Sequence, residues 1–214
     1  MVNEKLRNLT EEQLETLAGD GMTDPELLAA LADEGAGGVR GLVALNPHTA
    51  TEVLTKLAHD TDPAVRWAVA GNIRTPNEML VRLAEDTEPQ VRWAVADNMR
   101  TPVETLDRLG GDANPLVRLR AARNPRLSAE RLAELARDDR SDIREAVAGH
   151  PSTPVRSLRA LSMDRDAYVR QAVIGNGSTP AGLLMEMADL DIGGTGMAAM
   201  TERVRRIPKS RKQH

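Results

Sequence analysis

The side chains best placed to do chemistry in this sequence are six arginines in step with six acids, two tryptophans, and a set of regularly spaced further arginines. A Val-Arg or Ile-Arg pair recurs at Val39-Arg40, Val65-Arg66, Val91-Arg92, Val117-Arg118, Ile143-Arg144 and Val169-Arg170, every 26 residues. Five positions before each Val or Ile lies an acid: Glu34, Asp60, Asp86, Asp112, Asp138 and Asp164. Guanidinium and carboxylate groups in one register have two uses. They form a charged track for a phosphodiester backbone, or a ladder in which each forked guanidinium ties acids and helix ends together. The ladder is the expectation here. A second set, Arg74, Arg100 and Arg126 with Arg123 nearby, marks matching loops of successive repeats. Stacked arginines of this kind suit an acidic peptide, a phosphate or nucleic acid, as a polar rim or anion site; the plainer reading is a solvated edge.

Two positions after the repeated Val stand Trp67, Trp93 and Leu119 in consecutive repeats, with Gly41, Glu145 and Gln171 at the same place elsewhere. On a helical wheel this position points away from the buried face of Val65, Ala68 and Val69. An exposed ridge of the chain's only two tryptophans would be a partner-binding surface, Trp being a preferred interface anchor. Alternatively each indole leans over its neighbour and fills a groove between repeats.

Catalytic constellations are not evident. His48, His59, His150 and His214 show no metal-ligand spacing, and the chain has no Cys, which removes thiolate sites, disulfides and a Cys nucleophile. The glycine-containing stretches "GDGMTD" and "IGGTG" lack the Lys of a phosphate loop. The expectation is a non-enzyme without cofactor or metal.

Composition and period define the elements that carry these side chains. There is no Phe and one Tyr, so the core is built of Leu, Val, Ile, Met and Ala, which suits closely packed helices. A fixed 26-residue period signals a solenoid. Each repeat reads as two helices. The first runs from Pro63 to about Gly71; the second follows "TPNE", where Thr75 is expected as N-cap, Pro76 as first helical residue and Glu78 as capping-box partner. Asn46, Asn72, Asn98, Asn124 and Asn176, with His150 once, close the first helices, where Asn tolerates the left-handed conformation and bonds loop backbone. The predicted fold is all-α, a right-handed α-solenoid (superhelix) of about six two-helix repeats. Residues 1–38 form an N-terminal cap and partial repeat, 39–190 the solenoid, and 191–214 a glycine-rich break and basic tail.

The pattern D-x-x-P-x-V-R-x-A-V-A-x-N, followed by T-P and spaced leucines, resembles the leucine-rich repeat variant family, a HEAT-like helical repeat. The resemblance spans roughly residues 10 to 190 and implies a right-handed superhelix of alternating α- and 3₁₀-like helices. Some members carry a Cys-rich iron–sulfur segment; a chain without Cys cannot share it. Trp67, Trp93 and Asp97 also resemble, faintly, the Trp and catalytic Asp of HEAT-like DNA glycosylases, whose basic, aromatic-rich grooves contrast with this acidic, aromatic-poor body.

The net charge of −4 hides an asymmetry, because Arg203, Arg205, Arg206, Lys209, Arg211 and Lys212 crowd a tail that contains no acid. The main expectation is a binding scaffold for a protein partner, with a homo-oligomer through the Trp ridge as one form of it. The alternative is a nucleic-acid-binding accessory protein acting through the tail and the arginine edge. The polar N-terminal stretch and the lack of a long apolar run predict no membrane span and a cytoplasmic location.

Overall fold

The structure, a computed structural model, describes Leu6 and residues 8–189. Among the described residues there are fourteen helices and no strand. The basic tail singled out above lies outside them. The chain divides into two compact units, Met1–Arg126 and Leu127–His214. The first contains α1 (Glu11–Gly19), α2 (Pro25–Glu34), α3 (Gly37–Leu45), α4 (Thr51–Leu57), α5 (Pro63–Gly71), α6 (Asn77–Leu83), α7 (Pro89–Asp97), α8 (Val103–Leu109) and α9 (Pro115–Arg123). The second contains α10 (Ala129–Leu135), α11 (Ser141–Gly149), α12 (Val155–Leu161), α13 (Ala167–Gly175) and α14 (Ala181–Asp189).

Within the first unit α3 packs on α5, α5 on α7 and α7 on α9; within the second, α11 packs on α13. The packed helices are the first of each repeat, and they approach closely because Ala68, Ala70, Ala94, Ala96, Ala121 and Ala122 are buried on them. Val65, Val69, Leu80 and Leu83 are inaccessible or nearly so, as are their counterparts one period on. Neither helix of a repeat buries its apolar stripe alone, so the stack is the unit of stability. Proline opens α5, α7 and α9, where its missing N–H costs nothing.

Three local expectations are corrected. Thr75 does not cap the second helix, which begins at Asn77 with Pro76 at its cap. Its fully buried hydroxyl instead donates back to the Val69 carbonyl at 2.5 Å, and Thr49, Thr101, Thr153 and Thr179 do the same to Val43, Val95, Val147 and Val173. Satisfying a helix-end carbonyl inside the core outweighs capping a helix whose first turn reaches water. The asparagines are not left-handed either: Asn72 has φ −72° and ψ 129°. Its value lies in its side chain, whose amide donates to the Ala44 and Asn46 carbonyls of the preceding repeat while its carbonyl accepts from the Arg74 N–H. Finally, the second helix is α-helical over its seven residues, and 3₁₀-type bonds such as Glu85 N–H to the Arg82 carbonyl only close its end.

The arginine–acid series forms the expected ladder. Arg40, Arg66, Arg92 and Arg144 each grip an acid twenty residues ahead, Asp60, Asp86, Asp112 and Asp164, with two parallel hydrogen bonds. The third guanidinium nitrogen bonds a carbonyl behind; Arg66 Nη1 reaches Asp60 O at 2.9 Å. These groups are occupied in holding repeats together, so they do not form an open track.

Candidate functional site

The register position two after the repeated Val brings Trp67 of α5 beside Trp93 of α7. Their ring centroids are 6.2 Å apart and their planes 64° apart, an edge-to-face pair. Both side chains remain half-buried. The two expectations for this position therefore meet: each indole leans on its neighbour, yet the pair keeps an open flank. Leu119 departs from the ridge, being only 9% exposed. A leucine is much shorter than a tryptophan, so at the same backbone position it stops at the level its neighbours reach.

A groove of about 410 Å³ opens beside the pair, lined by Pro63, Ala64, Trp67, Glu88, Gln90 and Trp93. It runs along the N-terminal ends of α5 and α7. Toward their C-terminal ends a smaller pocket of about 140 Å³ is bounded by both indoles with Leu45, Gly71 and Asp97. Leu45 is 49% exposed there, and at Gly71 an added Cβ would meet nothing within 4 Å. The structure thus brings Asp97 together with both tryptophans. Arg120 of α9 stands over Trp93 with its guanidinium carbon 5.0 Å from the ring centroid, and lies 3.8 Å from the Asp97 carboxylate.

Glu88 is a site residue that the sequence reading passed over. Its register position is held by Asp62, Asn114 and Asp166 in other repeats, and each of these caps the following helix by accepting a backbone N–H. Glu88 is one methylene longer and makes no such cap. Glu88 instead lines the Trp groove. The signal available in the sequence was an acid one methylene too long at a position where Ala36 and Arg140 also depart from a short capping side chain.

Arg74, Arg100, Arg123 and Arg126 are exposed, and none of them lines either pocket. The polar edge of the larger groove is Glu88 and Gln90. Arg126 Nη1 donates to the Met99 carbonyl at 2.9 Å, and Arg100 reaches toward the Ile73 carbonyl at 3.5 Å. Ser178 makes the corresponding bond to Pro151, so these loop side chains also serve as ties between turns.

The carboxyls of Asp60 and Asp164 are held below the ordinary range, chiefly by the hydrogen-bonded guanidinium of Arg40 and of Arg144. At Asp86 and Asp112 burial pushes upward, but the paired arginine and a backbone N–H together outweigh it and the net shift is downward. No group of three or more His, Asp or Glu among the described residues is positioned to hold a metal ion.

Residues 142–166 match the family model described as leucine rich repeat variant. That stretch is one turn of the 26-residue period that the rest of the chain repeats. One repeat of this chain thus matches the leucine-rich repeat variant pattern. A solved structure described as a leucine-rich repeat variant with a novel repetitive protein structural motif is similar at 26% identity, over 83% of this chain and 80% of that one, with a TM-score of 0.46. A computationally designed armadillo repeat protein for modular peptide recognition is similar at 16% identity over 91% of each chain, TM-score 0.30. No curated protein matches this one. No helix among the described residues is long and apolar enough to cross a membrane. In this chain the 26-residue repeat accounts for the ladder, the threonines and the asparagines; the Trp pair and Glu88 are what it leaves unexplained.

Proposed function

We propose that this protein is a non-catalytic binding scaffold whose first unit takes up a segment of a partner protein in the groove beside Trp67 and Trp93. One observation supports the reading above others: the chain's only two tryptophans stand together, partly exposed, beside an open groove of about 410 Å³. Tryptophan is costly to leave in water and is enriched among side chains that dominate binding energy. Ligand sites favour such a concave apolar wall with few polar groups at its edge. In this reading Asp97 holds Arg120 against Trp93 and takes no part in chemistry.

The test is selection of a random peptide library on the full chain, beside a Trp67→Ala/Trp93→Ala double variant checked for unchanged helicity. The expected result is a common motif bound by the wild type and weakened at least tenfold in the double variant, since two anchors of about 1 kcal/mol or more each are lost. Equal binding by both proteins would place the partner surface elsewhere.

A further inference from the structure

We propose that the groove beside the Trp67–Trp93 pair recognises a positively charged side chain, an arginine of the partner segment, with Glu88 as its counter-ion. This rests on the groove being the partner site, and it names what enters.

The lining supplies the two components that hold a desolvated cation. Indole faces attract a guanidinium through the ring quadrupole, most strongly for Trp. A carboxylate at the edge of the same groove completes a forked, charge-assisted pair. Glu88 is available for it: its side chain forms neither a hydrogen bond nor an ion pair within the described residues, unlike the capping acid Asp62 one repeat earlier. The protein already contains this recognition once. Arg120 lies 5.0 Å over Trp93 with Asp97 beside it, so a guanidinium on this indole with a carboxylate nearby is a stable arrangement here. Arg120 is not among the residues lining the larger groove, which leaves that flank open to a second cation.

Electrostatics on every side agree. The N-termini of α5 and α7 border the groove and contribute about half a positive elementary charge each. Against them stands the full negative charge of Glu88 in the groove lining, while the Asp62 carboxylate caps α5 and lies toward Gly37 outside it. Arg66 and Arg92, the nearest cations of the same helices, feel the Glu88 charge but are each tied by a forked pair to Asp86 and Asp112. The balance favours a cation over an anion. Guanidinium is preferred to ammonium because it is planar, weakly hydrated and able to stack and fork at once.

The two indole N–H groups give two resolvable signals in a ¹⁵N-correlated spectrum of the full chain, and both report on this groove. The probes are the N-acetyl methylamides of arginine, of citrulline (the same shape without charge) and of norleucine. The arginine probe is expected to move both signals saturably and to bind about fivefold or more tighter than the citrulline probe. Glu88→Gln should weaken the arginine probe about fivefold and leave the norleucine probe unchanged. Citrulline binding as tightly as arginine, or Glu88→Gln leaving arginine affinity intact, overturns the cation assignment. Tighter norleucine binding overturns it too, while keeping the groove as an apolar site. If no probe moves either signal the assignment falls, and the peptide selection above decides the groove independently.

Discussion

Arg66 holds Asp86 through Nε at 2.6 Å and Nη2 at 2.9 Å, bridging consecutive repeats across twenty residues of sequence. The Asp86 side chain is 7% exposed, so this is a semi-buried pair whose members also bond backbone: Arg66 Nη1 to Asp60 O, Asp86 Oδ1 to the Glu88 N–H. Asp86→Asn keeps the shape and removes the charge. It is expected to destabilise the protein by about 2–3 kcal/mol, the range for a charge-assisted hydrogen bond lost with its partner left behind. Urea unfolding followed by circular dichroism measures it; a change below ~0.5 kcal/mol would show that the rung behaves like an ordinary surface pair.

The same rungs set the acid response. Asp60, Asp86, Asp112 and Asp164 all have native carboxyls below the ordinary value. A lowered native value means that the unfolded chain binds protons more readily, so the stabilisation is complete above the unfolded value of about 3.9 and is lost as pH falls through the native values. The urea midpoint should be nearly flat from about pH 7 to 5 and drop steeply below about 4. A midpoint that fell instead between pH 7 and 5 would locate the acid-sensitive groups outside the ladder.

Asn72→Ala tests the other set of ties. The substitution removes the donor to the Ala44 and Asn46 carbonyls and the acceptor of the Arg74 N–H, although the Asn46 carbonyl keeps its bond from the Thr49 N–H. With a buried carbonyl left unsatisfied costing roughly 1–3 kcal/mol, a loss of about 2 kcal/mol is expected. Asn72→Gly should be as harmful, because the position is extended and gains nothing from glycine's freedom. A clearly milder Asn72→Gly would mean that backbone conformation, rather than the amide, is what the position requires.

Core and site side chains should separate by size of effect. Leu80 is fully buried, and Leu80→Ala is expected to cost about 2–5 kcal/mol through lost burial and the cavity left behind. Trp67 is half-buried with a groove on one flank, so Trp67→Ala should cost clearly less than Leu80→Ala despite removing more atoms. Thermal unfolding of the two variants compares them. Equal or greater loss at Trp67 would make it a structural filler.

How the 26-residue period became two helices is largely legible in the residues themselves. Pro63, Pro89 and Pro115 announce the first helices, and Leu80 and Leu83 with their counterparts mark the second, because helix periodicity and proline position are local properties. The Arg–Asp ladder was legible too, since a constant offset between opposite charges in a repeat leaves little else for them to do. Thr75 and Asn72 were misread. The pattern "TPNE" carries a capping signal, but it does not show that the hydroxyl faces a buried carbonyl.

The repeat, its helices and its charge register follow from spacing along the chain. Which side chains stay partly open is set by the stacking of one repeat on the next. Trp67, Trp93 and Leu119 share one register position, yet two stay partly exposed and one is buried. Glu88 differs from Asp62 by one methylene, and that length takes it from helix cap to groove wall. Both outcomes depend on how far a side chain reaches past neighbours contributed by another repeat. That distance is created when the repeats stack, and no spacing within one repeat contains it.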